Sequence, residues 1–247
     1  MQFIIVMYEK TRGIVLHSIR YNDSSLVVDI LTENRGSVAF LVKVPKTHKS
    51  SLKTQLLRPL TVLEIDMEYR TQQNLQRIRD MHVCEPFQSI PYEPMKSMVA
   101  LFLGEMLYYT LRNEDRNERL FDFLLYSFRW FDMAERDYVN FHLAFLIKMT
   151  RYLGFWPNCE EHRNLPFFDL QEACFCAAHP IHKQCLRNEE AAWVPKFLRM
   201  NYYSMRRFKM NRQQRNYALD ILCRYYRLHI PDFPEIKSIE VLKEVIG

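Results

Sequence analysis

At Pro86, Pro91 and Pro94 the period of the apolar residues changes, and no single secondary structure can run through that change. Before the prolines the chain alternates. Val62, Glu64, Asp66 and Glu68 fall on one parity and Leu63, Ile65, Met67 and Tyr69 on the other, as in a half-buried strand. After them Met95, Met98, Val99, Phe102, Met106 and Tyr109 recur at the spacing of a helix face. Each proline removes a backbone donor and restricts the residue before it, so the cluster separates a β region from an α region.

The β region reads as five strands, at Thr11 to Tyr21, Leu26 to Thr32, Val38 to Val44, Leu60 to Tyr69 and Leu75 to Val83. Asn22 to Ser25 supplies turn chemistry, and Gly36 supplies a positive φ at the next turn. The polar, basic stretch Pro45 to Lys53 lacks periodicity and reads as a loop. Five short strands in about 75 residues suit a small closed barrel, since closure removes exposed edges. An OB-like barrel over residues 1–84 is therefore expected, followed by an all-α bundle over 85–247, an α+β chain. Beyond the helix from Met95, further helices are expected at about 117–134, 137–153, 189–203, 211–229 and 238–245. Gly154 and Pro157 stop one of them, and Asn211 with Gln214 forms a capping box at the start of another.

Several chemistries lack their residues. With five glycines, and no Gly-x-Ser-x-Gly, Walker A or Gly-x-Gly-x-x-Gly motif, phosphate-cradling loops and ATP chemistry are not expected, and no cofactor is implied. Apolar stretches such as Met98 to Met106 are too short to span a bilayer, and no export signal is read, so a cytoplasmic location is expected. Six cysteines in a chain of this length do not read as a disulfide framework.

Charge is unevenly distributed. Residues 1–80 carry 12 basic and 8 acidic side chains, residues 81–195 carry 11 and 16, and residues 196–229 carry 9 and 1. Two basic regions in an otherwise acidic chain point to a polyanion, because neutralising phosphates releases condensed counterions.

Lys10, the strand Gly13-Ile14-Val15-Leu16, Tyr21, Asp23, Ser25, Thr32 and Gly36 stand in an order and spacing that resembles the RecO family. Leu153-Gly154-Phe155 with Pro157 is similar to that family's helix ending. Tyr225-Tyr226-Arg227-Leu228-His229-Ile230 and Lys237-Ser238-Ile239-Glu240-Val241-Leu242 resemble its Bacteroidetes-type branch. The resemblance covers nearly the whole chain. It implies an OB barrel followed by a helical domain. The implied protein binds single- and double-stranded DNA, anneals complementary strands and has no catalytic centre. It also implies RecR and the single-strand-binding protein as partners, RecA indirectly, and association with the nucleoid. Family members begin at a position like Met7, so residues 1–6 read as an extension.

Many members of that family carry Cys-x-x-Cys twice, a zinc spacing. This chain departs from it over about 157–187. Cys159 is followed by His162, and Cys174 and Cys176 are followed by His179, His182 and Cys185. Cys159 and His162 with Cys176 and His179 would supply two sulfurs and two nitrogens, but a loop without zinc, packed by Phe167, Phe168 and Phe175, is the preferred reading, and no metal is assigned.

The expected DNA contacts on the barrel are Lys43, Lys46, Lys49 and Lys53, with Arg58 as a companion. On the helical domain they are Arg206, Arg207, Lys209, Arg212 and Arg215, the last two lying off the apolar stripe Tyr217, Ile221, Leu222, Tyr225 and Leu228. Tyr202, Tyr203 and Phe208 could stack on bases or complete the core. Two other functions remain open: an interaction adaptor that contacts DNA only within an assembly, and a metal-dependent nuclease, for which Asp66 with Glu68, or Glu160 with Glu161, would need further converging ligands.

Overall fold

The computed structural model describes residues 6–44, 54–159 and 165–246. The chain packs as two compact units, Met1–Met133 with Ile236–Leu242, and Ala134–Glu235 with Lys243–Gly247.

In the first unit, strands β1 (Val6–Asn22), β2 (Ser25–Thr32), β3 (Gly36–Lys43), β4 (Val62–Arg70) and β5 (Leu75–Glu85) close a barrel in the order β1-β2-β3-β5-β4. This is the OB arrangement, and with the helices that follow it makes the chain α+β, as expected. Closure depends on the length of β1, whose first part pairs with β4 from Val6↔Arg70 to Ile14↔Val62 and whose second part pairs with β2 from Gly13↔Thr32 to Asn22↔Ser25. Where the two ladders overlap stands Gly13. A Cβ there would fall 2.6 Å from Ile30 Cγ2, so the crowded inner wall admits only glycine without movement. Of the expected alternation, Leu63, Ile65 and Met67 are fully buried with Val15, Val28, Ile30 and Phe40, while Glu64, Asp66 and Glu68 reach outward.

Packing divides the chain later than the change of period does. Helices α1 (Pro94–Leu111), which starts on the last of the three prolines, and α2 (Glu118–Met133) belong to the barrel's unit. The reason is close contact. Gly104 of α1 sits where a Cβ would be 2.5 Å from Pro59 Cβ and 3.0 Å from the Leu16 carbonyl, and Ser37 N donates to Glu114 O at 2.8 Å. The proline segment is fixed by Asp132, whose carboxylate accepts from the backbone N–H groups of Gln88, Ser89 and Ile90 at 2.8–2.9 Å. Lys96, only 1% exposed, donates to Ser89 Oγ at 2.6 Å and to Asp132 O at 3.0 Å.

The second unit contains α3 (Phe141–Met149), the short strands β6 (Phe167–Asp169), β7 (Cys174–Cys176) and β8 (Cys185–Arg187), α4 (Trp193–Arg199), a 3-10 turn (Met205–Arg207) and α5 (Arg212–His229). α6 (Ser238–Val245) ends the described chain. Nearly every residue of α3 is buried, and Tyr226 of α5 donates its hydroxyl to Leu146 O at 2.8 Å. Two helices are shorter than expected. The 137–153 helix runs only over Phe141–Met149, with Gly154 at φ +84° beyond it. The 189–203 helix ends at Arg199, because Asn201 Oδ1 accepts from the Tyr203 and Ser204 N–H groups and Ser204 Oγ donates to Arg199 O, a side-chain turn that displaces the helical ladder.

The region read as a zinc-like loop contains a three-stranded sheet, ordered β7-β6-β8. Phe168 and Phe175 pack edge to face at 5.1 Å on its buried side. His162 lies outside the described residues. His179 Nε2 lies 3.3 Å from Cys185 Sγ, and His182 Nε2 lies 3.1 Å from Asp169 Oδ2. Among the described residues no three His, Cys, Asp or Glu side chains converge as a metal ion would require.

Candidate nucleic-acid interface

A cation serves a phosphate only if it is exposed and not already neutralised. On the barrel, three of the cations are already paired. Arg12 is bidentate to Glu33 at 2.6 and 2.8 Å, Arg35 donates to Glu9 at 2.7 Å and lies 4.0 Å over the Tyr69 ring, and Arg70 pairs with Glu68. The Arg12 hydrogen bonds hold Glu33 below the usual carboxylate range against an opposing push from burial.

Lys43, at the end of β3, and Arg58 are exposed, as expected. Lys46, Lys49 and Lys53 lie outside the described residues. Two further exposed cations come from β5, Arg77 and Arg79, the latter 4.9 Å over the Tyr8 ring. In the alternation of β5, Gln76 is buried and Ile78 half-buried, while Arg77 and Arg79 face outward. Lys43, Arg77 and Arg79 line one cleft of about 380 Å³ with Leu41 and Asp80, at the place where the short parallel pairing of β3 with β5 has ended at Phe40↔Gln76.

In the second unit the cations are held differently. Met205 is fully buried and pins the 3-10 turn, which leaves Arg206 and Arg207 exposed, with Lys209 exposed just beyond. None of the three has an ion pair among the described residues. Asn140 Nδ2 straps this segment by donating to Met205 O at 3.2 Å and Phe208 O at 2.9 Å. Tyr202 is core, its ring 5.2 Å from that of Phe141, whereas Tyr203 is exposed and Phe208 half-buried.

Arg215 corrects the expectation that it faces solvent. It is 5% exposed, with Nε donating to Asn140 Oδ1 at 3.0 Å, Nη1 to Ile246 O at 3.1 Å and Nη2 to Met210 O at 2.9 Å. Its acceptors are neutral, and burial draws the guanidinium below its ordinary value. Burial, together with the charge of Arg215, draws His142 down to about 3, so that imidazole stays neutral. Arg212 is exposed and donates from Nε to Lys243 O at 3.0 Å. The expected capping box is present, with Asn211 Oδ1 accepting from Gln214 N at 2.9 Å and Gln214 Oε1 accepting from Asn211 N at 3.1 Å. Arg224 is committed to Gln184 Oε1 and Lys183 O, so it adds nothing to the free set.

Residues 7–87 match the family described as Recombination protein O N terminal, and residues 92–238 match Recombination protein O C terminal. The chain belongs to the RecO family. It is similar to the DNA repair protein RecO of Phocaeicola vulgatus, 47% identical over 241 residues that span 98% of this chain and 100% of the relative. It is likewise similar to DNA repair protein RecO of Bacteroides fragilis, 43% identical over 97% of this chain and 99% of the relative, and of Flavobacterium psychrophilum, 33% identical over 98% and 100%. RecO is a family of DNA repair and recombination, and the match to its N-terminal part agrees with the closed OB barrel. No described helix is long and apolar enough to cross a membrane.

Proposed function

We propose that this RecO-family chain is a non-enzymatic mediator of recombinational DNA repair that binds single- and double-stranded DNA and anneals complementary strands. In this reading it works in the cytoplasm on the nucleoid, with RecR and the single-strand-binding protein as partners, and assists RecA loading. One observation carries it: Arg206, Arg207 and Lys209 stand exposed on one strapped segment and have no ion pair among the described residues. Lys43, Arg77 and Arg79, which line one cleft, offer a second cationic region on the barrel, and Arg58 is also exposed.

Annealing requires that two polyanions approach while neither is locked in register. Exposed cations screen phosphate without reading bases, which suits that task and predicts weak sequence preference. The test is annealing of complementary oligonucleotides by the purified chain across a salt series. Acceleration at low salt that declines steeply as salt rises supports the reading. A chain that neither binds DNA nor accelerates annealing contradicts it and favours an adaptor that meets DNA only inside an assembly.

A further inference from the structure

Behind the exposed cations of the second unit lies a cleft of about 470 Å³. That volume falls within the roughly 300–1,000 Å³ of small-ligand sites and is larger than a phosphate alone would need. Arg206 and Lys209 line it together with the buried Arg215, and Asp137 is the carboxylate among its lining residues. Phe208, Val139 and Met210 give it an apolar wall.

Arg215 gives the cleft its chemistry. A guanidinium has five N–H donors, and the hydrogen bonds of Arg215 go to one side-chain amide and two backbone carbonyls. Two donors and the full charge are left without a described anionic partner. A buried cation satisfied only by neutral acceptors retains a desolvation cost that an anion in the cleft would offset. Half-buried Phe208 is the aromatic residue lining the same cleft.

We propose that the cleft seats one unstacked nucleotide of a single strand, its phosphate facing Arg206, Lys209 and the Arg215 charge and its base against Phe208. The proposal rests on the DNA-binding reading and deepens it by separating a single-strand subsite from the general cationic surface. A duplex keeps its bases stacked and cannot place one in a cleft. An acidic peptide would bring a run of carboxylates past Asp137, whereas a strand brings one charge per nucleotide together with an aromatic face.

The experiment compares the full chain binding a labelled oligothymidylate and a duplex of equal length at one salt concentration. Phe208→Ala should weaken single-strand binding roughly tenfold and leave duplex binding within about twofold. Phe208→Leu, which keeps apolar bulk, should show the same selective loss, and matching circular dichroism and melting curves separate it from misfolding. Arg206→Ala with Lys209→Ala should weaken both ligands. A strand carrying 5-iododeoxyuridine should photo-crosslink within residues 206–210. The proposal is overturned if both Phe208 variants leave single-strand binding unchanged or weaken both ligands equally. It is also overturned if crosslinks map elsewhere, or if an acidic peptide ending in a free carboxylate occupies the cleft in preference to the strand. Failure of the wild-type chain to bind any DNA would instead defeat the underlying reading of function.

Discussion

The barrel and the Met205–Arg212 segment are both rich in arginine and lysine, yet they use them differently. On the barrel, Arg12, Arg35 and Arg70 are tied to Glu33, Glu9 and Glu68, so three of its arginines brace the β surface and add little free charge. In the second unit, Asn140 and Arg215 carry the bracing from inside through neutral acceptors, and Arg206, Arg207 and Lys209 have no ion pair among the described residues. Counting cations therefore overstates what the barrel offers to phosphate. What each cation already touches decides its availability.

The sharpest way to break this contrast is Arg215→Met. It leaves Asn140 Oδ1, Met210 O and Ile246 O without their donor, and we expect a loss of about 3 kcal/mol in urea unfolding, since each orphaned buried acceptor costs roughly 1–3 kcal/mol and removing a buried charge returns part of it. Arg206→Ala should move stability by less than about 0.5 kcal/mol. Equal effects from the two would erase the distinction between brace and contact.

Asp132→Asn should cost about 2 kcal/mol, because the carboxylate accepts from three backbone N–H groups and charge-assisted hydrogen bonds are the stronger kind. Burial pushes the Asp132 carboxyl up, but those backbone donors outweigh it and hold it below its ordinary 3.8. A depressed carboxylate stabilises the fold fully above its unfolded value and loses that contribution as pH falls through the folded value. Stability measured downward from pH 5 should thus fall more steeply in wild type than in Asp132→Asn.

Arg77→Ala with Lys43→Ala should lower the magnitude of the salt slope for single-strand binding by roughly one, at about 0.7 per phosphate contact, in a titration by fluorescence anisotropy. The smallest effect belongs to Arg12→Ala. Removing a partner already held by Glu33 should change DNA affinity less than about twofold, while costing up to about 1 kcal/mol of stability as a part-exposed pair. A DNA defect larger than that of the Lys43/Arg77 variant would show that ion pairing does not withhold barrel cations from phosphate.

The barrel was legible because its signals agree at several levels. Alternation over Leu63, Ile65 and Met67, turn residues at Asn22 and Gly36, and five short runs all specify closure. The capping box at Asn211 was equally local, since it needs only two side chains three positions apart. Arg215 was misread because its residue type was given more weight than its period. Ala218, Leu219, Leu222 and Tyr226, at the third, fourth, seventh and eleventh positions beyond it, are all buried, and they place Arg215 on the inner face of α5. The sheet β7-β6-β8 has strands of three residues, too short for a period to emerge. Arg77 and Arg79 were in plain alternation but were overshadowed by the denser lysines of the sequence between Lys43 and Lys53.

The most direct test is the salt dependence of single-strand binding, measured for the wild-type chain and for Arg206→Ala/Arg207→Ala/Lys209→Ala. If these exposed cations meet phosphate, the triple variant should bind at least about tenfold more weakly at low salt, with a log–log slope smaller in magnitude by roughly two. Unchanged affinity and an unchanged slope would show that the strapped segment is not where the chain meets DNA.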